Sequence, residues 1–389
     1  MKPSMSQPVF IAVHVGAGIF FCFNACHFQP TQKQGRLARS KEPKYKAALA
    51  KACQLAMNVL KREGGTAAEA VAVAIAHLEN DPVTNAGYGS NLTLKGTVEC
   101  DASLMTGQSG TFGAVGAVSG IKNPILTAHH MVCEAEKGLM SLGRIPPMFL
   151  AGKGAKDWAQ ERGHVIVEEE DLIDRKRQLT YGFLLFGFSH ISLVANAYKT
   201  YLDHVGRLVE DEEDNVDLGH DTVGAICHDQ YGDIAAGVSS GGISLKAPGR
   251  VGEAAMYGTG CWAQNEKEGQ AGVACSTTGT GEQIMRTLFT YKCVERISKQ
   301  EDMKIALTDS FNKDFLESPC LDMYDEKSVG TIALRTQKTR DTTRIEFWYG
   351  HVTPDMGIGY MSGTFKKPKT LISRKSSEHE KTVSAGWLI

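Results

Sequence analysis

The stretch GHDTVGAI, residues 219–226, decides how this chain is organised. A charged segment ends at Asp221, and Thr222 then begins a run of small and apolar residues that is typical of a buried strand. A threonine at the start of a strand is usually structural. Here small neighbours permit close approach of the backbone, and a dense cluster of Ser, Thr and Gly turns follows between Ser239 and Glu282. The pattern makes Thr222 a candidate nucleophile.

A threonine hydroxyl attacks a carbonyl only when a base removes its proton. One way to supply that base is to cut the bond between Asp221 and Thr222. Thr222 then becomes the first residue of a new chain, and its own α-amino group can take the proton. Such an amine has an ordinary pKa of about 7.7–8, which lies close to working pH.

Composition and charge narrow the class of protein. The chain has 389 residues, of which 42% are hydrophobic and 22% charged, as in a globular protein of one large or two ordinary domains. Its formal net charge of −2 provides no overall field that would attract nucleic acid. Ten thinly spread cysteines do not form a disulfide scaffold, which favours a cytoplasmic or nuclear compartment.

Two features of the N-terminal region have a simple structural explanation. Residues 9–26 are apolar, but His14 and several small residues interrupt them, so we predict a strand ending in a glycine turn rather than a secretory signal. Cys22, Cys26 and His27 lie close together without the rest of a ligand set, so no metal is predicted. No membrane span is predicted elsewhere.

Periodicity predicts a layered α+β domain, since two long helices and many strands occur in segregated order. A capping box of Thr66 and Glu69 starts the second helix, and TVGAICH and DIAAGVS form a hairpin around DQYG. A charged segment over 165–221 has the character of a linker. The predicted helices cover 44–62, Thr66 to His77, Pro124 to about Lys137, and 281–298; the predicted strands cover 9–15, 112–119, 328–336, 344–353 and 357–362.

Other motifs leave alternatives open. VHVGAG begins like a dinucleotide fingerprint but has Phe21 in place of the third glycine. TTGTGEQ (277–283) could hold a phosphate, form a tight turn, or point its N–H groups at an oxyanion. No G-x-S-x-G elbow is present, and the serine pair Ser239-Ser240 alone is more typical of a turn.

Many motifs in the same order resemble the type 2 asparaginase family of N-terminal-nucleophile hydrolases, and most of all its threonine aspartase (taspase) branch. The resemblance covers most of residues 9–165 and 219–375. The motifs are VHVGAG, NAGYGSNL, ECDAS, FGAVGAVSGIKNP, GRIPP, DTVGAI, SSGG, PGRVGEAAMYGTGCWA and TTGTGE.

The resemblance implies a four-layer αββα sandwich, expected to form a single domain over residues 1–389. It implies a precursor that cuts itself into an α subunit, 1–221, and a β subunit, 222–389, with 166–221 as a flexible linker. The two fragments are expected to stay together and to pair into an (αβ)2 assembly. No metal or organic cofactor is implied, and neither nucleic acid nor a membrane is expected as a partner.

The resemblance also implies roles for individual residues. Thr222 matches the nucleophile, and Ser240 matches a second hydroxyl that supports it. Thr278 and Gly279 match the pair that holds the oxyanion. The matches for substrate binding are Arg250, which would grip a carboxylate, Lys41, which would contact the Asp side chain of a substrate, and Glu253, whose position also bears on the substrate.

Asp221 favours an endopeptidase that cuts proteins after Asp, because the processing site is the first substrate and small asparaginases carry Gly there. Glu253 departs from both branches, since asparaginases have Asp at this position and taspases a neutral amide. It could point away or pair with Arg250. The alternatives are an isoaspartyl peptidase or L-asparaginase with the same nucleophile, and an unprocessed, inactive binding protein. Segments 19–39 and 181–197 depart from the family pattern, and RKR at 175–177 is a weak nuclear-localisation signal.

Overall fold

The computed structural model describes residues 7–16, 19–23, 30–34, 37, 39–174, 222–267, 269–340, 342–377 and 380–389. Asp221, the RKR motif and the segment 181–197 lie outside these ranges. Among the described residues, no helix is both long and apolar enough to cross a membrane.

Helices and strands both occur in number, which confirms the α+β class. The α-helices are α1 (Glu42–Lys61), α2 (Ala67–Glu79), α3 (Pro124–Ala135), α4 (Gly152–Glu161), α5 (Gly281–Thr287), α6 (Phe289–Lys299) and α7 (Met303–Asp309). Short 3-10 turns cover Arg39–Lys41, Ser141–Gly143, Glu169–Leu172, Glu253–Ala255 and Pro319–Leu321, and a π-helix covers Ser310–Leu316. The strands are β1 (Phe10–Val15), β2 (Ile19–Phe23), β3 (Pro30–Gln34), β4 (Cys100–Thr106), β5 (Phe112–Val118), β6 (Phe149–Ala151), β7 (Val223–His228), β8 (Ile234–Ser240), β9 (Cys261–Gln264), β10 (Gly272–Gly279), β11 (Val329–Lys338), β12 (Thr343–His351), β13 (Asp355–Ser362), β14 (Lys369–Arg374) and β15 (Val383–Leu388).

Two large sheets organise the molecule. The eight-stranded sheet has the order β14-β13-β1-β7-β8-β4-β5-β6, and the five-stranded sheet has the order β15-β12-β11-β10-β9. The strand β1 is antiparallel to both β13 and β7, so a strand from the N-terminal part of the chain lies between two strands from the C-terminal part. The remaining pair, β2 and β3, forms a separate hairpin.

Three clusters of buried apolar residues show how the elements pack. The first lies between helices α1, α2 and α3 and the large sheet, with Leu49 and Ile75 fully buried. The second joins the two sheets, where Phe10 and Phe347 pack with ring centroids 5.3 Å apart. The third lies between the smaller sheet and helices α6 and α7. This succession of helices, sheet, sheet and helices is what a four-layer αββα sandwich requires, and that architecture stays a prediction.

The apolar periodicity predicted α1, α2 and α3 correctly, and the segment 281–298 is helical as predicted but is interrupted near its middle. Two helices, α5 and α6, occupy the segment, and Leu288 between them adopts the left-handed conformation with φ 51°. Thr66 caps α2 as predicted, since its hydroxyl accepts a hydrogen bond from the Glu69 backbone N–H at 3.2 Å.

The hairpin predicted around DQYG is confirmed as β7 and β8. The chain after it enters the loop that carries Arg250 and Glu253. At the start of the predicted linker 166–221, residues 166–174 are described, and Leu172 is buried there.

Candidate active site

Thr222 lies directly before β7, where the β7–β8 hairpin places it beside the end of β8. Val223 pairs with Ser239, which brings the side chains of Thr222 and Ser240 together. Their hydroxyl oxygens are 2.9 Å apart, and both side chains are buried. Thr222 and Ser240, the two hydroxyl residues that the family resemblance pointed to, are therefore in direct contact.

A chain of hydrogen bonds orients these hydroxyls. The Thr222 hydroxyl donates to Glu253 Oε1 at 3.1 Å. Because its one proton is used there, the proton between the two hydroxyls comes from Ser240, whose oxygen in turn accepts from the backbone N–H of Gly242 at 3.0 Å. The side chain of Asn91 holds that turn by donating to the Gly242 carbonyl at 2.8 Å.

Glu253 points toward Thr222 rather than away from it. It begins the 3-10 turn Glu253–Ala255 and is only 2% exposed. Burial raises its pKa to about 7, although the positive charge of Arg250 opposes that shift. Gly281 matters here, since a side chain at that position would collide with the carboxylate of Glu253 and the guanidinium of Arg250.

Arg250 has a partner that the sequence did not reveal. Its Nε and Nη2 atoms donate to the two carboxylate oxygens of Glu282 at 2.9 and 2.8 Å, a bidentate pair. Burial raises the pKa of Glu282, but the hydrogen bond and charge of Arg250 outweigh it and hold that pKa below its ordinary value. The third nitrogen, Nη1, is buried, and among the described residues it has no hydrogen-bond partner.

Asp101 and Lys246 support this loop, and the sequence analysis did not single out either as a functional residue. The buried carboxylate of Asp101 accepts from the backbone N–H of Gly252 at 2.8 Å, and the ammonium of Lys246 donates to the Gly241 carbonyl at 2.8 Å. The quoted motif ECDAS contained the only sequence signal for Asp101. Together these bonds fix the backbone on both sides of Arg250.

Thr278 and Gly279 end β10, which packs over β7. A side chain at Gly224 of β7 would collide with Ser276 of β10, so the absence of a Cβ there lets the two sheets approach closely. The Thr278 hydroxyl is buried and has no hydrogen-bond partner within the described part of the chain, and Gly279 has φ 144° where a Cβ would collide with the backbone of Ser328. An unsatisfied buried hydroxyl is a group that can receive a ligand.

Lys41 ends the 3-10 turn that leads into α1. The next residue is Glu42, whose carboxylate pairs with Arg374 at 2.9 Å. The match of Lys41 to a substrate-binding residue stays a prediction. Within the described ranges, no group of three or more His, Cys, Asp or Glu side chains is arranged to hold a metal ion.

Comparison with known proteins agrees with the resemblance at the family level. A family profile described as "Asparaginase" matches residues 25–337. The chain is 31% identical over 281 residues to an isoaspartyl peptidase of Salmonella typhimurium, with 72% of this chain and 76% of the relative covered. An isoaspartyl peptidase of Escherichia coli is also 31% identical over 281 residues, with 72% of this chain and 74% of that protein covered.

A mammalian relative has a broader name. The isoaspartyl peptidase/L-asparaginase of Rattus norvegicus is 34% identical over 238 residues, which cover 61% of this chain and 60% of the relative. These names agree better with the predicted alternative, an isoaspartyl peptidase or L-asparaginase, than with an endopeptidase that cuts after Asp.

Proposed function

We propose, from the premise that the chain belongs to the type 2 asparaginase family of N-terminal-nucleophile hydrolases, that it activates itself by cleavage between Asp221 and Thr222. Family membership makes the chain a hydrolase. The observation that supports the proposal most directly is the position of the Thr222 hydroxyl, which contacts both Ser240 and Glu253.

The proposed self-cleavage turns a peptide bond into an ester. The Thr222 Oγ1 atom attacks the carbonyl carbon of Asp221, and the bond from that carbon to the Thr222 nitrogen breaks. Water then hydrolyses the ester, which releases the Asp221 carboxylate and restores the Thr222 hydroxyl. The products are an α fragment, 1–221, and a β fragment that begins with Thr222.

In the cut enzyme, the free amine of Thr222 is the proposed general base. The hydroxyl attacks the carbonyl of a substrate and forms an acyl-enzyme, which water hydrolyses. Thr278 and Gly279 are proposed to stabilise the oxyanion that forms in each step. The buried Nη1 of Arg250 is proposed to bind the carboxylate of the substrate, and Lys41 is retained as a second contact.

We propose as the finer function a threonine endopeptidase that cuts proteins after Asp. The processing site places an Asp at the scissile carbonyl, so the site must accept Asp221 before it meets any other substrate. Such an enzyme has protein substrates as partners. Its two fragments are proposed to remain together and to pair as (αβ)2.

The second candidate is an isoaspartyl peptidase or L-asparaginase. The names of the relatives favour it, and so does the carboxylate of Glu253 beside Thr222, because an acidic group suits the ammonium of a free amino acid. Both candidates use the same nucleophile and differ in the substrate that the acidic group and Arg250 accept.

The test compares three substrates on one preparation of self-cleaved enzyme. A peptide with an internal Asp-Gly bond, the same peptide with an isoaspartyl linkage, and free L-asparagine are assayed by mass spectrometry and by release of ammonia. Thr222→Ala is the control for contaminating activity. Cleavage of the Asp peptide, but not of a version with Asn in place of Asp, supports the endopeptidase.

Three other results contradict that finer function. Cleavage of only the isoaspartyl peptide, or ammonia release from asparagine without peptide cleavage, establishes the second candidate instead. A chain that stays uncut and binds peptides without hydrolysing them points to the inactive binding protein.

A further inference from the structure

The uncut chain has a chemical problem that the cut enzyme does not share. Before cleavage, the nitrogen of Thr222 belongs to a peptide bond, so it cannot act as a base. The first attack of the Thr222 hydroxyl therefore needs another group to take its proton. That group must lie within hydrogen-bond reach of Oγ1.

Among the ionisable side chains that the structure describes, Glu253 meets this requirement through its 3.1 Å hydrogen bond from Thr222. His14 bonds to the Ser276 hydroxyl through Nε2 at 2.9 Å and contacts the backbone of Thr222; burial lowers its pKa to about 3, although that backbone contact opposes the shift. Asp101 accepts from the backbone N–H groups of Ala117 and Gly252. Among the described residues, neither side chain forms a hydrogen bond with Oγ1 of Thr222.

We propose that Glu253 is the proton carrier of self-cleavage, a role that rests on the proposed cut between Asp221 and Thr222. Its carboxylate takes the proton from the Thr222 hydroxyl as Oγ1 bonds to the Asp221 carbonyl carbon. The carboxylic acid thus formed then gives the proton to the Thr222 nitrogen as the carbon–nitrogen bond breaks. The proton is returned in full, so no further reactant is needed until water hydrolyses the ester.

The hydrogen-bond chain fits this direction of proton transfer. The N–H of Gly242 donates to Ser240, Ser240 donates to Thr222, and Thr222 donates to Glu253. As Thr222 loses its proton, the bond from Ser240 stabilises the negative charge that develops on Oγ1. Ser240 is therefore positioned to assist the nucleophile, and Glu253 is positioned to receive its proton.

The charges around Glu253 suit a carrier that must both accept and donate. Burial favours its neutral form, Arg250 favours its charged form, and the negative charge of Asp101 opposes ionisation, with the result that its pKa lies at about 7. Glu282, held by Arg250, and Lys246, near Asp101, complete the charged groups of this region. A carrier whose pKa lies near working pH is effective in both directions of transfer.

Glu253 differs from the residues that the two branches of the family have at this position. The position holds Asp in small asparaginases and a neutral amide in taspases, whereas here a longer carboxylate reaches the nucleophile itself. The proposed role precedes any substrate, so it differs from contact with the ammonium or the peptide of a bound ligand.

The experiment measures self-cleavage of the full chain, made in a cell-free translation system and sampled over time by intact mass between pH 5.5 and 8.5. For the unsubstituted chain, we expect a rate that rises with pH and reaches half its plateau near pH 7. Glu253→Gln keeps the size of the side chain but is expected to slow cleavage by about 100-fold or more and to remove the pH dependence. Glu79→Gln is the matched control, because Glu79 is another buried glutamate with a pKa of about 7 but contacts Ser239 rather than Thr222. Self-cleavage of the Glu79→Gln variant is expected to keep a pH profile with its midpoint near 7.

A chemical rescue guards against a merely structural effect. Glu253→Ala leaves space for a small carboxylate, so added formate is expected to restore cleavage of this variant, while chloride at equal ionic strength does not. Unchanged cleavage in Glu253→Gln, a flat pH profile of the unsubstituted chain, or no rescue by formate would each overturn the proposal while leaving the cut itself in place. If the unsubstituted chain never cleaves itself, the proposed function is contradicted, and so is this role of Glu253.

Discussion

At the scale of single residues, the guanidinium of Arg250 has two nitrogens in hydrogen bonds and a third, Nη1, that is unsatisfied among the described residues. The first two nitrogens hold Glu282, while Nη1 is buried and no described residue bonds to it. A buried unsatisfied donor costs about 1–3 kcal/mol, so its retention suggests that a ligand satisfies it. The planar fork of arginine makes this arrangement possible, and lysine cannot reproduce it.

Arg250→Lys is therefore expected to lower kcat/KM for the substrate by about 100-fold or more. The variant loses both the bidentate pair with Glu282 and the donor left for the substrate carboxylate. Steady-state kinetics of self-cleaved enzyme checks this. Arg344→Lys is the control, since Arg344 is half exposed in an ion pair with Glu346 and its replacement should leave kcat/KM unchanged. Equal effects of the two substitutions would contradict the role of Arg250.

Glu79 provides a second prediction, on stability and pH. Burial raises its pKa to about 7 in the folded chain, against an ordinary value of 4.5. Between these values the folded state holds a proton that the unfolded state has lost, so the contribution of Glu79 to the free energy of unfolding falls as pH rises, by about 1.4 kcal/mol per pH unit at most. Above pH 7 the contribution levels off.

The measurement is urea unfolding of Thr222→Ala and of Thr222→Ala with Glu79→Gln, from pH 5 to pH 8. The stability of the first relative to the second is expected to decline over this range. The buried His14 and His351, whose pKa values burial lowers to about 3 and about 4, act in the opposite direction but are present in both proteins and cancel. A difference that is independent of pH would contradict the assignment.

At the scale of elements, the break between α5 and α6 stores conformational strain. Leu288 adopts φ 51° and is about half exposed, so it gains little from burial in return. A left-handed conformation costs a residue with a Cβ roughly 1–2 kcal/mol relative to glycine. The sequence around Leu288 has no glycine or asparagine, the residues that most often adopt the left-handed conformation, so the break could not be predicted.

Leu288→Gly is expected to raise the free energy of unfolding by about 0.5–1 kcal/mol, measured in the Thr222→Ala background. Ile305→Gly is the matched control, because Ile305 is equally exposed but lies inside helix α7. Glycine in a helix interior should lower stability by about 1 kcal/mol. If both substitutions lower the free energy of unfolding to the same extent, the claim that Leu288 is strained is contradicted.

Elements with a regular apolar period were predictable, and long-range side-chain pairs were not. The apolar spacing of α1 and the alternation in β7 and β8 lie within a few residues and follow from local physics. The pairing of Arg250 with Glu282 joins a loop to the first turn of helix α5 and has no local signature. The motif TGTGE contained Glu282, but only the fold shows that it faces the GRVG loop. The orientation of Glu253 was open for the same reason.

At the scale of the whole molecule, the proposed cut leaves two fragments that share one sheet. The strand β1 of the N-terminal fragment lies between β13 and β7 of the C-terminal fragment, and β4 pairs with β8 across the same division. Separation would expose the apolar clusters on both faces of that sheet. The fold therefore predicts that cleavage does not release either fragment.

Self-cleaved protein is expected to elute from a native size-exclusion column as one species that contains both fragments in equal amounts. Denaturing conditions should separate them into bands that correspond to 1–221 and 222–389. Recovery of a free, folded C-terminal fragment on the native column would contradict the shared sheet as the basis of association.

The central claim is that Thr222 becomes the N-terminal nucleophile, and one measurement tests it most directly. Intact mass and N-terminal sequencing are carried out on purified protein, beside Thr222→Ala prepared in the same way. We predict a fragment that begins Thr-Val-Gly from the unsubstituted chain and a single 389-residue chain from the variant. If the unsubstituted protein also stays whole, or is cut at another bond, the claim is contradicted.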